Sequence, residues 1–195
     1  MDGKPVTGNG VHVPCLRITI LDLTTEGPTG ALYARLMHPN QAGIMPQAVA
    51  VWCAEAGHKV NFICYTGFED LHAELQSETD ILFISAFTQA AQLSIAISNM
   101  FRKQGTVTVL GGPHARAYPD DAVKYFDYVL GLTDRNLILD VLKECSQHRP
   151  LGVSLSAARQ PLELPGVIER WPYIEPTIAK APTIKIVPMI GSLGC

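Results

Sequence analysis

Thr106-Val107-Thr108-Val109-Leu110-Gly111-Gly112-Pro113-His114-Ala115 is the stretch on which the fold turns. Its first half is an apolar, β-branched run of strand length, closed by a double glycine. A strand that is apolar on both faces belongs in a sheet covered on both sides, which is the habit of parallel sheets. Two glycines at its carboxyl end have no side chains, so the backbone can turn tightly and admit a close neighbour. In an open α/β sheet, ligands lie at that end of the strands.

The rest of the chain repeats this grammar. Apolar runs at 16–23, 60–65, 81–86 and 128–130 alternate with helix-like segments at 47–56, 68–77, 88–103, 119–126 and 136–145. Pro46 suits a first helical turn, and Gly57 suits a C-terminal cap. The pattern predicts an α/β domain: a Rossmann-like, five-stranded parallel sheet in the flavodoxin-like order 2-1-3-4-5. Helices cover both faces, and the ligand crevice falls between strands 1 and 3. The domain is expected over 16–149, after a loose tail over 1–15.

From 150 to 195 the composition changes, with seven of the fourteen prolines between Pro150 and Pro188. That density argues against regular helix and predicts an extended linker that wraps the domain or leads to another. Residues 183–190 are strand-like again, and Gly191-Ser192-Leu193-Gly194-Cys195 follows. A strand there without a partner would be a bare edge, so the chain reads as a piece of a larger protein.

With 195 residues, 47% hydrophobic and 17% charged, and a net charge of -3, the chain suits one well-buried domain plus an extension. It has no electrostatic footprint for nucleic acid or an anionic membrane. No apolar run reaches the roughly 18 residues of a membrane span, and residues 1–10 lack the apolar stretch of a secretory signal. The five cysteines are widely spaced and include no CxxC, which argues against a disulfide framework or a structural zinc site. The expected compartment is therefore the reducing cytoplasm. Cys53, Cys64 and Trp52 are expected in the core, and His58 and His72 on the surface.

Several chemistries are excluded by missing patterns. There is no GxGxxG or GxxxxGK[ST] phosphate loop, no nucleophile elbow, and no His/Glu pair at metal-ligand spacing on a helix. What remains lies at strand ends. Thr24, Thr25 and Gly27 follow strand 1, and Ser85, Ala86, Phe87 and Thr88 end strand 3. Gly111, Gly112, Pro113 and His114 end strand 4, and Gly131, Leu132 and Thr133 end strand 5. Hydroxyls and bare backbone suit a large, polar-rimmed ligand gripped by hydrogen bonds and contact area. Acid–base catalysis needs a positioned titratable group, so no catalytic residue is assigned. The alternative is that glycine and serine stand there because turns need them.

These segments resemble the cobalamin (vitamin B12)-binding domain at the N-terminus of many radical S-adenosylmethionine enzymes. Ala54-Glu55-Ala56-Gly57-His58-Lys59-Val60 is similar to the family's AxxGHxV exit from the first helix. Asp80-Ile81-Leu82-Phe83-Ile84-Ser85 is similar to its third strand. Residues 110–115, with Pro119-Asp120-Asp121-Ala122 and Phe126-Asp127-Tyr128-Val129, are similar to its GGPHA…P…A…DYV block. Residues 189–195 resemble the approach to CxxxCxxC, with Cys195 as its first cysteine.

The resemblance implies a corrinoid whose nucleotide tail inserts beside strands 1, 3 and 4. Ser85 and Thr88 would bond the tail, Gly111 and Gly112 would leave room for it, and Gly131 would flank its far end. His114 is either close to the tail or a propionamide, or a turn histidine. B12 domains that place a histidine on cobalt carry DxHxxG after strand 1. His38 is in that connection but lacks the Asp and Gly offsets, so no protein histidine is expected on the metal.

In the intact protein the resemblance implies a [4Fe-4S] cluster, S-adenosylmethionine, and methyl transfer or a radical rearrangement in a catalytic domain in cis. This chain has only one of the cluster's three cysteines, so it is expected to bind corrinoid without catalysis. Two other readings stay open. One is a Rossmann-like regulatory or interaction domain without a cofactor. The other is a domain for flavin or another nucleotide, against which the missing phosphate loop weighs.

Overall fold

The computed structural model describes residues 14–25, 27, 42–75, 78–145, 152–161, 163–180 and 185–189. Six parallel strands form one open sheet in the order β2-β1-β3-β4-β5-β6. They are β1 (Arg17–Leu23), β2 (Lys59–Tyr65), β3 (Ile81–Ala86), β4 (Val107–Gly111), β5 (Tyr128–Leu130) and β6 (Val153–Leu155). The helices are α1 (Ile44–Glu55), α2 (Leu71–Glu74), α3 (Ala91–Lys103), α4 (Pro113–Ala117), α5 (Pro119–Ala122), α6 (Arg135–Cys145) and α7 (Val167–Ala179). The α/β class and the parallel sheet agree with the sequence pattern. The strand count and order differ from it, because β6 pairs in parallel beside β5 and extends the sheet by one.

Strand pleating divides the core in two. Ile18, Ile20, Phe83, Val107, Val109 and Leu130 face α1 and α6. Leu21, Ile63, Leu82, Ile84, Leu110 and Val129 face the opposite way, against α3 and the residues around α4 and α5. Helix α1 is buried at every position from Pro46 to Cys53, Trp52 and Cys53 included. A helix that is apolar all round needs cover on both sides. The sheet covers one side of α1, and α7 covers the other.

That cover corrects one expectation, because the proline-rich segment does form a helix. Pro172 and Pro176 sit inside α7. Each removes one bond to the carbonyl four residues back, at Ile168 and Pro172 respectively. Those positions share one exposed face, so the freed carbonyls lie on the solvent side of the helix. The opposite face carries the buried Arg170, Ile174 and Thr177. Tyr173 packs its ring 5.6 Å from that of Phe62 and donates a hydrogen bond to the Ala50 carbonyl (3.3 Å).

Three smaller corrections follow. Residues 185–189 are not in a strand. Residues 113–117 form a short helix, begun by Pro113 in its first turn, where the sequence reads as a turn. His58 is nearly buried, and its Nδ1 accepts the Leu16 N–H at 3.2 Å. Burial lowers its pKa below the ordinary histidine value. No helix among the described residues is long and apolar enough to cross a membrane.

Candidate functional site

The carboxyl ends of β1, β3 and β4 meet in register, with Asp22 opposite Ser85 and Ser85 opposite Gly111. Beside them lies a cavity of about 70 Å³ between the sheet and α1 and α6. Ile20, Phe83 and Leu130 line it from the sheet, Met45, Pro46 and Val49 from α1, and Ile138 from α6. Ser85, Gly111, Gly112 and Thr133 line it too, beside Ile84, so four of the residues singled out in the sequence converge here. The apolar walls were not among those candidates. Their signal was present, since α1 opens beside the cavity with a continuous apolar run.

The two adjacent glycines serve different ends. A Cβ at Gly111 would meet only the Ile84 carbonyl oxygen, at 4.0 Å. Strand alternation turns that Cβ to the face of Val107 and Val109, where the cavity lies. Gly111 is therefore the side-chain-free gap. Gly112 has φ +88°, and a Cβ there would lie 3.0 Å from the Ala86 nitrogen and 3.1 Å from its oxygen. Its bareness lets the end of β4 lie against the end of β3. The sequence predicts room for a ligand at both glycines; the space beside the backbone is open at Gly111 and closed by Ala86 at Gly112.

The other candidates scatter. Thr24 bonds the Tyr65 carbonyl through both its N–H (3.1 Å) and its hydroxyl (2.8 Å), so its donors are engaged within the sheet. Thr25 is half-buried, and a Cβ at Gly27 would meet nothing within 4 Å. Ala86 is buried, whereas Phe87, Thr88 and Pro113 are exposed and outside the cavity lining. Gly131 is covered from β6, because a Cβ there would lie 2.9 Å from Ser156 Oγ. The same Ser156 oxygen accepts the Leu132 N–H at 3.0 Å. Thr133 donates to the Gly131 carbonyl at 3.2 Å. His114 is 7% exposed, its ring centre 5.4 Å from that of Tyr118, and its Nδ1 has no hydrogen-bond partner among the described residues. It does not line the cavity. His38 and Cys195 lie outside the described residues.

Asp22 is the polar group that the strand-end survey passes over. It is 2% exposed, yet its carboxylate accepts from the Gly43 N–H at the start of α1 and is hydrogen-bonded by the Ser85 hydroxyl. Burial raises its pKa from 3.8 to about 6, against the lowering effect of those two bonds. The thiol of Cys64, opposite Asp22 on β2, is pushed well above its ordinary value by burial first and by Asp22 second. Asp22, Thr24 and Gly27 also have the spacing of DxHxxG, with threonine at the histidine position. The histidine itself is absent there, so the chain lacks the motif, and only the Asp and Gly spacing is shared.

A carboxyl whose folded pKa lies above its unfolded value binds protons more tightly in the native state. Its contribution to stability is therefore greatest below about pH 4 and is lost as pH rises through about 6. Asp22→Asn should stabilise the protein at pH 7.5 by about 3 kcal/mol, with the advantage vanishing near pH 4. Urea unfolding of both proteins from pH 4 to pH 8 measures this. A difference that does not change with pH would contradict the burial of an ionised Asp22.

Among the described residues, no three His, Cys, Asp or Glu side chains cluster as a metal site. The sequence matches no known family model and no curated protein.

Proposed function

We propose that this chain is a cobalamin-binding module, of the Rossmann-like kind found before radical S-adenosylmethionine domains. The observation that carries the reading is the apolar cavity at the ends of β1, β3 and β4, open at Gly111, where the resemblance puts the nucleotide tail. A flat heterocycle slotted against a sheet needs a residue without a side chain at the point of contact. Ser85, at the rim, supplies a hydroxyl held by Asp22. Thr24, two residues after Asp22 where DxHxxG would have its histidine, offers no imidazole, which supports the expectation that no protein histidine would bind the metal.

The fit has one requirement. A cavity that takes benzene measures about 150 Å³, so about 70 Å³ accommodates a planar ring only if a wall moves. The sheet wall is tied by hydrogen bonds across its strands, so the wall that would have to shift is the first turn of α1, with Met45 and Pro46, which Asp22 holds through Gly43. When bound, cobalamin supplies a cobalt centre that carries a methyl group. The chain's own part is to hold the tail in the cavity, exclude water with its apolar walls and leave the corrin's upper face to a partner domain. The cluster and S-adenosylmethionine would belong to that partner domain, as the resemblance implies.

Hydroxocobalamin mixed with the protein and desalted should stay bound, with the visible spectrum of the base-off form. A colourless protein would favour the reading as a cofactor-free interaction domain. Bands of a retained flavin would favour the nucleotide reading.

A further inference from the structure

Arg170 on α7 is 3% exposed, and among the described residues its three side-chain hydrogen bonds go to neutral oxygens. Nη1 donates to Gln47 Oε1 (2.6 Å), Nε to the Pro165 carbonyl (3.0 Å) and Nη2 to the Pro188 carbonyl (3.3 Å). Burial lowers its pKa, with Glu169 opposing, and no carboxylate among the described residues bonds the guanidinium. A buried cation with neutral acceptors is a costly way to stabilise a fold, and apolar replacements of such groups are often neutral. What the guanidinium does is join three stretches of chain that are far apart in sequence: the first turn of α1, the approach to α7, and residues 185–189, which return after it. Gln47 belongs to the same helical turn as Met45 and Pro46, the cavity wall that has to shift for a ring to enter.

We propose that Arg170 is a positioning residue that ties residues 185–189 to the first turn of α1, so that widening the cavity for a planar ring and undocking this strap are a single event. The ring's identity as a corrinoid tail rests on the reading above, but the coupling itself does not. A turn pushed outward moves Gln47 away from Nη1, and a guanidinium that follows it gives up its bond to Pro188. By linkage, releasing the strap must ease entry of the ring to the same degree that the ring releases the strap.

The test uses the full 195-residue chain. Tryptic cleavage after Lys185 reads the strap, and amide exchange over residues 43–50 reads the first turn. Gly111→Phe places a tethered benzene ring in the cavity without any added ligand, and Gly111→Leu is a smaller second probe should the phenylalanine variant fail to fold. Each is expected to raise both signals, cleavage by about tenfold, since proteolysis follows the open population. Arg170→Gln should raise both signals in a protein with Gly111 intact, and Arg170→Lys should restore part of the protection. Hydroxocobalamin should raise strap cleavage in the unaltered protein. The coupling is overturned if a folded Gly111 variant leaves the strap as resistant as before, or if Arg170→Gln frees the strap without loosening the turn. Failure of hydroxocobalamin to bind would instead retire the corrinoid reading, with the Gly111 variants still deciding the clamp.

Discussion

Leucine at position 111 is expected to lower the affinity for hydroxocobalamin by about 100-fold while the melting temperature stays within a few degrees of the parent protein. The new side chain meets no atom closer than 4.0 Å from its Cβ and extends into the cavity a ring would use. Leucine one residue later should do the opposite kind of damage. At Gly112 it faces a left-handed φ of +88° and a backbone contact of 3.0 Å with no flexible side chain to give way. The expected cost is about 3 kcal/mol of stability, whatever the ligand. Equilibrium dialysis with the corrinoid and urea unfolding on both variants separate the two effects. Undiminished corrinoid binding by a folded Gly111→Leu protein would remove the cavity from the argument.

Asp127→Ala is expected to cost about 3 kcal/mol, measured by urea unfolding, with Asp127→Asn losing less. The carboxylate is fully buried. Its Oδ2 accepts the Thr108 N–H (2.8 Å) and the Thr108 hydroxyl (3.2 Å), and its Oδ1 pairs with Arg102 Nε at 3.3 Å. Thr108 Oγ1 in turn lies 3.0 Å from Ser98 Oγ, whose single hydroxyl proton is shared between Thr108 Oγ1 and the Tyr125 carbonyl (2.7 Å). The reason lies in β5, which has only three residues and pairs with β4 at just Val109 and Leu110. Asp127 extends that ladder by one rung with its side chain. The aspartate of the Asp127-Tyr128-Val129 block thus serves the sheet at the end remote from the cavity, and its alanine variant should change stability far more than it changes ligand affinity per folded molecule.

How much of this was legible beforehand depended on whether a residue's setting was local. Strands such as 81–86 stood out as unbroken apolar runs because a strand buried on both faces leaves no other pattern. The helix expected over 68–77 shrank to Leu71–Glu74, because Glu69 turns back to bond Thr66 and Asp70 caps His72 and Ala73. Those hydrogen bonds set its start one residue after Asp70. Strand β6 is too short for a period to show, and it forms because β5 offers it an edge.

Periodicity and the double glycine are properties of neighbouring residues, and they carried the α/β class and the sheet edge at which the candidate site lies. Whether two prolines break a helix, which of two adjacent glycines has room beside it, and whether a buried arginine finds its acceptors are different matters. Each depends on what packing sets beside a residue: open solvent over the outer face of α7, the backbone of Ala86 beneath Gly112, and Gln47 and Pro188 on either side of Arg170. Those contacts exist only after the layers pack, so no local pattern could announce them.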